Sequence, residues 1–280
     1  MSKPATLPVW ATTDGTTVAP SGGQQAAGFA VGTKPPARWV NWLFNWICQW
    51  LAYLSAGILT QGAGTNRVGA PGSKQTFTSG TAQTYTTPSG VSAILVRAWG
   101  GGGAGGGVGD TSSSKAAAGS GGNSGGYAER LIVSPDATYT YTVGAGGSGV
   151  AGSNGNNGAA STFGAGLTAV GGYGGNAMTP TAGLAICGPS TAVIGFAAGD
   201  ITGGPQNGGT GIVITAGGGG SRSGDGGSSL AGTGGGGGTS TGGNASGHGA
   251  GGGGSGNSNS ASTLAGGNGS GGLIEVIEYY

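Results

Sequence analysis

Runs of consecutive glycine limit how this chain can fold more than any other feature of its sequence. Of the 280 residues, 74 are glycine, and the longest runs lie at 100–103, 217–220, 234–238 and 251–254. Each ordered glycine costs about 0.5–1 kcal/mol more backbone entropy than alanine, and it brings no side chain to a core. Such a chain either stays disordered or is stabilised by contacts between main chains and by assembly with other chains.

Three features of the sequence favour order over disorder. Segments typical of β-strands lie between the glycine runs, and the chain ends in LIEVIEYY, which is itself typical of a strand. Only 6% of the residues are charged, whereas soluble disordered chains usually depend on charge. We therefore expect an ordered, mainly β body.

The glycine runs allow more than one arrangement. They lack a strict Gly-X-Y period, which excludes a collagen triple helix. Flexible linkers are one alternative. The other is a bundle of polyproline-II-like segments, whose N–H and C=O groups find no partner within one segment and therefore bond to neighbouring segments. We expect this bundle, because it is the arrangement in which the absence of side chains is an advantage.

Charge and composition argue against several classes of function. The net charge is +1, so the sequence has no basic character of the kind that attracts nucleic acid. The apolar stretch at 39–59 is interrupted by three amide side chains, and we expect no membrane insertion. The start of the chain lacks the apolar core of a signal peptide, and two distant cysteines, Cys48 and Cys187, favour assembly in a reducing cytoplasm.

Changes in composition divide the chain into four regions. Residues 1–33 are small and polar, and we interpret them as an extended arm that attaches to a partner, although a flexible terminus fits equally well. Residues 34–57 are rich in aromatic side chains, residues 58–75 form a linker, and residues 76–280 form a glycine-rich β domain.

The pattern of residues 34–57 predicts an amphipathic helix. Asn41, Asn45 and Gln49 repeat every four residues and form one narrow polar stripe, while apolar side chains cover the remaining surface. An apolar surface of this size indicates a protein contact, and we expect a three-chain bundle. The residues expected to dock the chain onto a partner and to join subunits are Trp39, Trp42, Leu43, Trp46, Trp50 and Tyr53.

Alternation and turn residues predict the strands of the glycine-rich domain. Strands at 83–87 and 91–99 flank the turn signal PSG, and strands at 127–133 and 138–143 flank SPDA, so we expect two hairpins. In the strand at 138–143, Tyr139, Tyr141 and Val143 should face the core while the threonines face outward. Further strands are expected at 161–163, 167–170, 212–215 and 273–279.

The sequence offers little for catalysis, and we expect neither an enzyme nor a bound cofactor or metal. His248 is the single histidine and lies between two glycines, which favours a surface loop over a catalytic triad. Glu275 and Glu278 are three residues apart on a strand and therefore lie on opposite faces. GxGxxG strings arise by chance at this glycine content, and a single GDG at 224–226 is a poor calcium site.

Aromatic side chains are the better candidates for binding. Phe163, Tyr173 and Phe196 are candidate receptor contacts, because flat rings can stack on sugars. For Trp99, Tyr139 and Tyr141 we expect packing in the strand core instead. Residues 184–201 are unusually apolar, which indicates an exposed tip or, preferably, a contact between subunits.

Several of these motifs carry a family resemblance. KPPA at 34–37, NWL at 41–43 and YL at 53–54 resemble a segment near the start of many phage and prophage tail proteins. VRAW before the run at 100–103, GGYAE at 125–129, YTVGAGG at 141–147 and GGLIEVIEY at 271–279 resemble the glycine-rich domain of phage tail fibres.

The resemblance implies a homotrimeric virion tail fibre that is assembled in the host cytoplasm. It also implies that the N-terminal arm and helix attach to the tail and that the domain at 76–280 contacts the host. Its implied partners are itself, tail or adaptor proteins, and a bacterial surface glycan or outer-membrane protein. Two alternatives stay open, namely a structural connector between virion proteins and, less favoured, a glycan-degrading tailspike. The predicted fold is mainly β with polyglycine or polyproline-II-like segments and one N-terminal amphipathic helix.

Overall fold

The computed structural model of the chain describes residues 40, 47, 71–112, 114–164, 166–190, 197–214 and 220–280. The helix predicted over 34–57 lies outside this part of the chain except for Val40 and Ile47, which have helical backbone, and it stays a prediction. Among the described residues, no helix is long and apolar enough to cross a membrane.

The described residues from 71 onward form short antiparallel β-sheets, as expected for a mainly β chain. The first strand begins inside the segment predicted as a linker, so the β domain starts earlier than its glycine content suggests. The strands are β1 (Pro71–Phe77), β2 (Gln83–Thr86), β3 (Ala93–Trp99), β4 (Ala116–Ala118), β5 (Tyr127–Val133), β6 (Thr138–Thr142), β7 (Ser161–Phe163), β8 (Leu167–Ala169), β9 (Ala185–Cys187), β10 (Ile201–Gly203), β11 (Gly211–Val213), β12 (Ser221–Arg222), β13 (Ala231–Thr233), β14 (Ser246–His248), β15 (Gly256–Ser258) and β16 (Leu273–Tyr279).

Two of the sheets pack face to face around the main core. The five-stranded sheet has the order β1-β16-β3-β5-β10, and the four-stranded sheet has the order β2-β6-β7-β8. Alternation turns one face of each strand inward, so β3 buries Ile94, Val96 and Ala98. The core between the sheets contains Tyr85, Ile94, Val96, Ala98, Ala128, Tyr141, Val143, Phe163, Leu167, Ala169, Ile274 and Val276.

The last strand also places one acidic side chain in this core. Glu278 is 1% exposed, and its carboxylate accepts hydrogen bonds from Gln75 Nε2 at 2.7 Å, from the Tyr85 hydroxyl at 2.8 Å and from the Ser73 hydroxyl. Glu275 lies on the other face of β16 and bonds to Lys74 Nζ at 2.6 Å. The two glutamates therefore face opposite sides of the sheet, as predicted, and Glu278 joins the ends of the two sheets.

Both predicted hairpins are wrong, although their strands are in place. β2 and β6 belong to the four-stranded sheet, whereas β3 and β5 belong to the five-stranded sheet. The short connections after β2 and β5 therefore carry the chain from one sheet to the other. β3 instead pairs with β5 and β16, which are distant in sequence, and this pairing turns its apolar residues Ile94 and Val96 toward the core between the two sheets.

The glycine-rich segments form a bundle in which main chain bonds to main chain. The N–H groups of residues 100–108 donate in rotation to three antiparallel segments, 120–126, 153–159 and 264–270, with every third residue bonding to the same segment. All nine bonds are 2.9–3.0 Å long. A repeat of three residues is the helical period of the polyproline II conformation.

The carbonyl groups of the same segment bond to three more neighbours. Gly172 and Gly175 donate to Gly101 and Ala104, Gly252 and Ser255 donate to Gly103 and Gly106, and Gly147 donates to Gly102. Residues 100–108 are thus surrounded by six segments of the same chain. The predicted pairing of main chains is present within a single chain.

Close approach of backbones explains why these positions are glycine. A Cβ atom added to Gly105 would lie 1.9 Å from the carbonyl oxygen of Gly253, and one added to Gly102 would lie 1.9 Å from that of Ala250. Neither glycine has a left-handed φ, so space rather than backbone conformation excludes a side chain.

We expect Gly105→Ala to destabilise the domain by at least about 1–3 kcal/mol, because the added methyl group forces two hydrogen-bonded backbones apart. Gly204→Ala is the matched control, since a Cβ there would meet no atom within 4 Å. Its effect should stay within about 0.5 kcal/mol or be slightly stabilising. Urea unfolding of both variants measures the difference, and equal stabilities would contradict the close approach of main chains.

Candidate binding surface

The outer face of the five-stranded sheet, which is turned away from the core, carries a mixed polar and apolar surface. Alternation places Leu95, Arg97 and Trp99 of β3 on this face. Arg97 lies opposite Glu275 of β16 and opposite Glu129 of β5. A row of polar side chains therefore crosses the middle of the sheet.

A hydrogen-bonded group of three side chains forms the centre of this outer face. Arg97 Nε donates to Glu129 Oε2 at 2.6 Å, and the Tyr127 hydroxyl donates to the same oxygen at 2.8 Å. The hydrogen bonds from Arg97 and Tyr127 lower the pKa of Glu129. Burial, together with the bond to Glu129, raises the pKa of Tyr127 to about 12.

Apolar side chains flank this polar group on both sides. At one end the rings of Trp99 and Tyr127 pack with their centroids 5.0 Å apart, and Trp99 is almost fully buried. At the other end Leu131 is 52% exposed and Val133 is 69% exposed. Polar groups held in place beside exposed apolar side chains are typical of surfaces that bind other molecules.

A second exposed apolar surface lies on the sheet formed by β12, β11 and β9. Ile186 and Ile212 are opposite each other in the β9–β11 pair, and Leu184 and Ile214 flank them. All four side chains are exposed, whereas Cys187 and Val213 on the other face are buried. We call Leu184, Ile186, Ile212 and Ile214 the aliphatic patch. It falls partly within the apolar segment at 184–201 that the sequence singled out.

The predicted receptor contacts are placed differently from one another. Phe163 is 1% exposed and stacks on Tyr139 with a centroid distance of 5.2 Å, so its ring has no free face for a sugar. Tyr173 is partly exposed in the glycine bundle. Phe196 and the six residues expected to attach the chain to the tail, Trp39, Trp42, Leu43, Trp46, Trp50 and Tyr53, lie outside the described residues.

Of the three aromatic residues expected in the core, two are there. Tyr141 is 8% exposed in the main core and Tyr139 packs against that core. Trp99 is equally buried, but it lies on the outer face against Tyr127 rather than in the core between the sheets. The polar row was missed by sequence reasoning. The alternation in β3 could have placed Arg97 on the outer face, but its acidic partners depend on strands that lie 32 and 178 residues away.

The described residues contain no group of three or more His, Cys, Asp or Glu side chains that could hold a metal ion. His248 belongs to β14, where it lies opposite Ala231. Burial raises the pKa of the Cys187 thiol, so the thiol is held in its neutral, weakly nucleophilic form. The chemistry that these residues offer is hydrogen bonding and apolar contact.

One protein-family model matches the chain. Residues 76–279 match a family described as a glycine-rich domain. The match begins within β1 and ends with the last residue of β16, so it covers both packed sheets and the glycine bundle. No curated protein sequence matches the chain.

The hydrogen-bonded group of Arg97, Tyr127 and Glu129 should make the free energy of unfolding depend on pH in the alkaline range. The folded protein holds the pKa of Tyr127 at about 12, above its usual value of about 10, so the neutral phenol stabilises the fold below pH 10. This contribution should be lost as pH rises from about 10 to 12.

We therefore expect the wild type to be more stable than Tyr127→Phe at pH 8, and this difference to shrink by pH 11. Urea unfolding of both proteins at each pH provides the measurement. Tyr139→Phe serves as a control for general effects of alkali on tyrosines. A difference between wild type and Tyr127→Phe that is constant with pH would contradict the hydrogen bond to Glu129.

Proposed function

The chain belongs to the glycine-rich domain family, and from this premise and the likeness of its N-terminal segment to phage tail proteins we propose that it is a virion tail fibre protein. Its arm (1–33) and aromatic helix (34–57) attach it to tail or adaptor proteins and join the subunits. Its glycine-rich domain binds a bacterial surface glycan or outer-membrane protein. The fibre is assembled in the host cytoplasm and resides in the tail of the virion.

The observation that carries the proposal is the outer face of the five-stranded sheet. Arg97, Glu129 and Tyr127 are held together by hydrogen bonds, beside the exposed Leu131 and Val133. A surface that combines fixed polar groups with exposed apolar side chains is more favourable when a binding partner covers it than when it is exposed to water. The glycine bundle supports this surface from the ends of β3, β5 and β16.

A fibre of three chains binds more firmly than one chain does. Three copies of a weak site act together, because the first contact raises the effective concentration of the remaining sites near the cell. The aliphatic patch supports the proposed homotrimer, since an exposed surface of four aliphatic side chains is favourable once a second copy covers it.

We expect light scattering to give the mass of a trimer for the full chain at micromolar concentration. Ile186→Ser should weaken the association at least tenfold, because it places a hydroxyl in the centre of the aliphatic patch. Leu230→Ser is the matched control, since Leu230 is just as exposed but lies outside the patch. A monomeric wild type, or equal effects of the two substitutions, would contradict the proposed contact.

Incubation of the purified full chain with candidate host bacteria distinguishes the functions. Adhesion without shortened surface polysaccharide is the result expected for a tail fibre. Release of oligosaccharides would favour a glycan-degrading tailspike. If the protein binds virion proteins but adheres to no candidate host, the result would favour a structural connector over an adhesin. Arg97→Ala should reduce adhesion by disrupting the polar row, with Arg222→Ala, whose side chain is largely exposed, as the control.

A further inference from the structure

A cleft of about 780 Å³ opens beside the core, between the edges of the two packed sheets. β10 covers β5 only opposite residues 127–129, and β7 covers β6 only opposite Tyr141 and Thr142. Residues 130–133 of β5 and 138–140 of β6 therefore have no adjacent strand on this side among the described residues. The cleft lies between these two strand edges.

The walls of the cleft combine three kinds of polar group. Thr138, Thr140 and Thr162 contribute hydroxyls, and none of these hydroxyls bonds to another described residue. Arg130 contributes a guanidinium group, whose Nε lies 3.4 Å from Asp200 Oδ1. Asp136 contributes a carboxylate that forms no ion pair with a described residue.

The side chain of Tyr139, which is fixed by a ring contact and by a hydrogen bond, forms part of the same wall. The ring of Tyr139 stacks on Phe163, and its hydroxyl accepts a hydrogen bond from the Asp136 N–H at 2.8 Å. Ile132 adds apolar surface to the wall. The cleft thus offers fixed apolar surface next to threonine hydroxyls, a carboxylate that forms no ion pair with a described residue, and the guanidinium group of Arg130, which pairs with Asp200.

We propose that this cleft binds a saccharide. A sugar ring presents hydroxyls that both donate and accept, and its C–H groups form apolar faces. Free threonine hydroxyls, a guanidinium donor and a carboxylate acceptor match the hydroxyls, and the edge of the Tyr139 and Ile132 wall matches the apolar faces. The inference rests on the proposed function for the source of the sugar, which is then a polysaccharide of the bacterial surface.

Cross-strand pairing in the four-stranded sheet supplies a matched control. Thr140 of β6 lies directly opposite Thr84 of β2, so both threonines are on the same face of the sheet. Both are exposed, but only Thr140 lines the cleft. Valine has the shape of threonine and the same preference for strands, so either substitution should leave the fold intact.

The experiment titrates the full chain calorimetrically with soluble oligosaccharides of glucose, galactose, N-acetylglucosamine and glucuronic acid. At least one should bind the wild type with a millimolar or lower Kd. Thr140→Val should then weaken binding by about 3–10-fold, as expected for loss of one hydrogen bond, and Arg130→Gln by more than about tenfold. Thr84→Val should stay within about twofold of the wild type.

Either of two results would overturn the proposed saccharide site. In the first, no oligosaccharide binds the wild type; in the second, Thr140→Val and Arg130→Gln bind the oligosaccharide as tightly as the wild type and Thr84→Val do. Urea unfolding of each variant excludes loss of the fold as the cause. Adhesion to bacteria separates this outcome from failure of the proposed function. If both cleft variants still adhere to bacteria, the tail-fibre proposal stands and the saccharide site in the cleft is contradicted. If the wild type binds a saccharide but does not adhere to bacteria, the saccharide site stands and the tail-fibre proposal is contradicted.

Discussion

Hydrogen bonding between the backbones of glycine-rich segments is the interaction on which the described structure depends. Buried N–H and C=O groups need partners, and in this domain they find them in neighbouring segments rather than within their own. The distances between backbones leave no room for a Cβ at many positions, among them Gly100, where it would lie 1.9 Å from the Val170 carbonyl oxygen. Glycine, which is costly in an ordinary fold because of its entropy, is the residue that this packing requires.

The bundle and the two packed sheets are one continuous structure. Gly100 follows β3 directly and its N–H donates to the Gly126 carbonyl, just beyond the Trp99–Tyr127 pair, so the bundle extends the pairing of β3 with β5. Gly272, which precedes β16, donates to Gly144, which follows β6 shortly after its end. The bundle therefore fixes the register of the strands, and the register in turn places Arg97 beside Glu129 on the outer face. The position of the candidate binding surface depends on glycines that lie outside it.

This architecture separates stability from binding. Hydrogen bonds between main chains and the core between the sheets stabilise the domain. The buried Glu278 also belongs to this interior, where its carboxylate accepts hydrogen bonds from Gln75 and Tyr85. Side chains on the outer face, in the aliphatic patch and around the cleft are then available for contacts with other molecules. Substitutions at such surface positions usually change stability by less than about 0.5 kcal/mol, so binding surfaces can vary while the glycine bundle is kept.

Local sequence patterns were sufficient for the position of many strands. Alternation gave Tyr127–Val133, Ser161–Phe163 and Leu273–Tyr279 with the bounds that the structure has, and it gave the inward side of Tyr139 and Tyr141. The same patterns gave the wrong partners for the strands around both turns, and they did not reveal the polar row or the cleft. By itself, the sequence determined that the domain is β-rich, because strand period and composition are local properties. For the glycine runs it favoured a bundle of main chains and left flexible linkers open as an alternative. Only the tertiary structure decided which strands pair, because that choice depends on apolar faces and backbone groups from separate parts of the chain, such as the partners of Arg97 that lie 32 and 178 residues away.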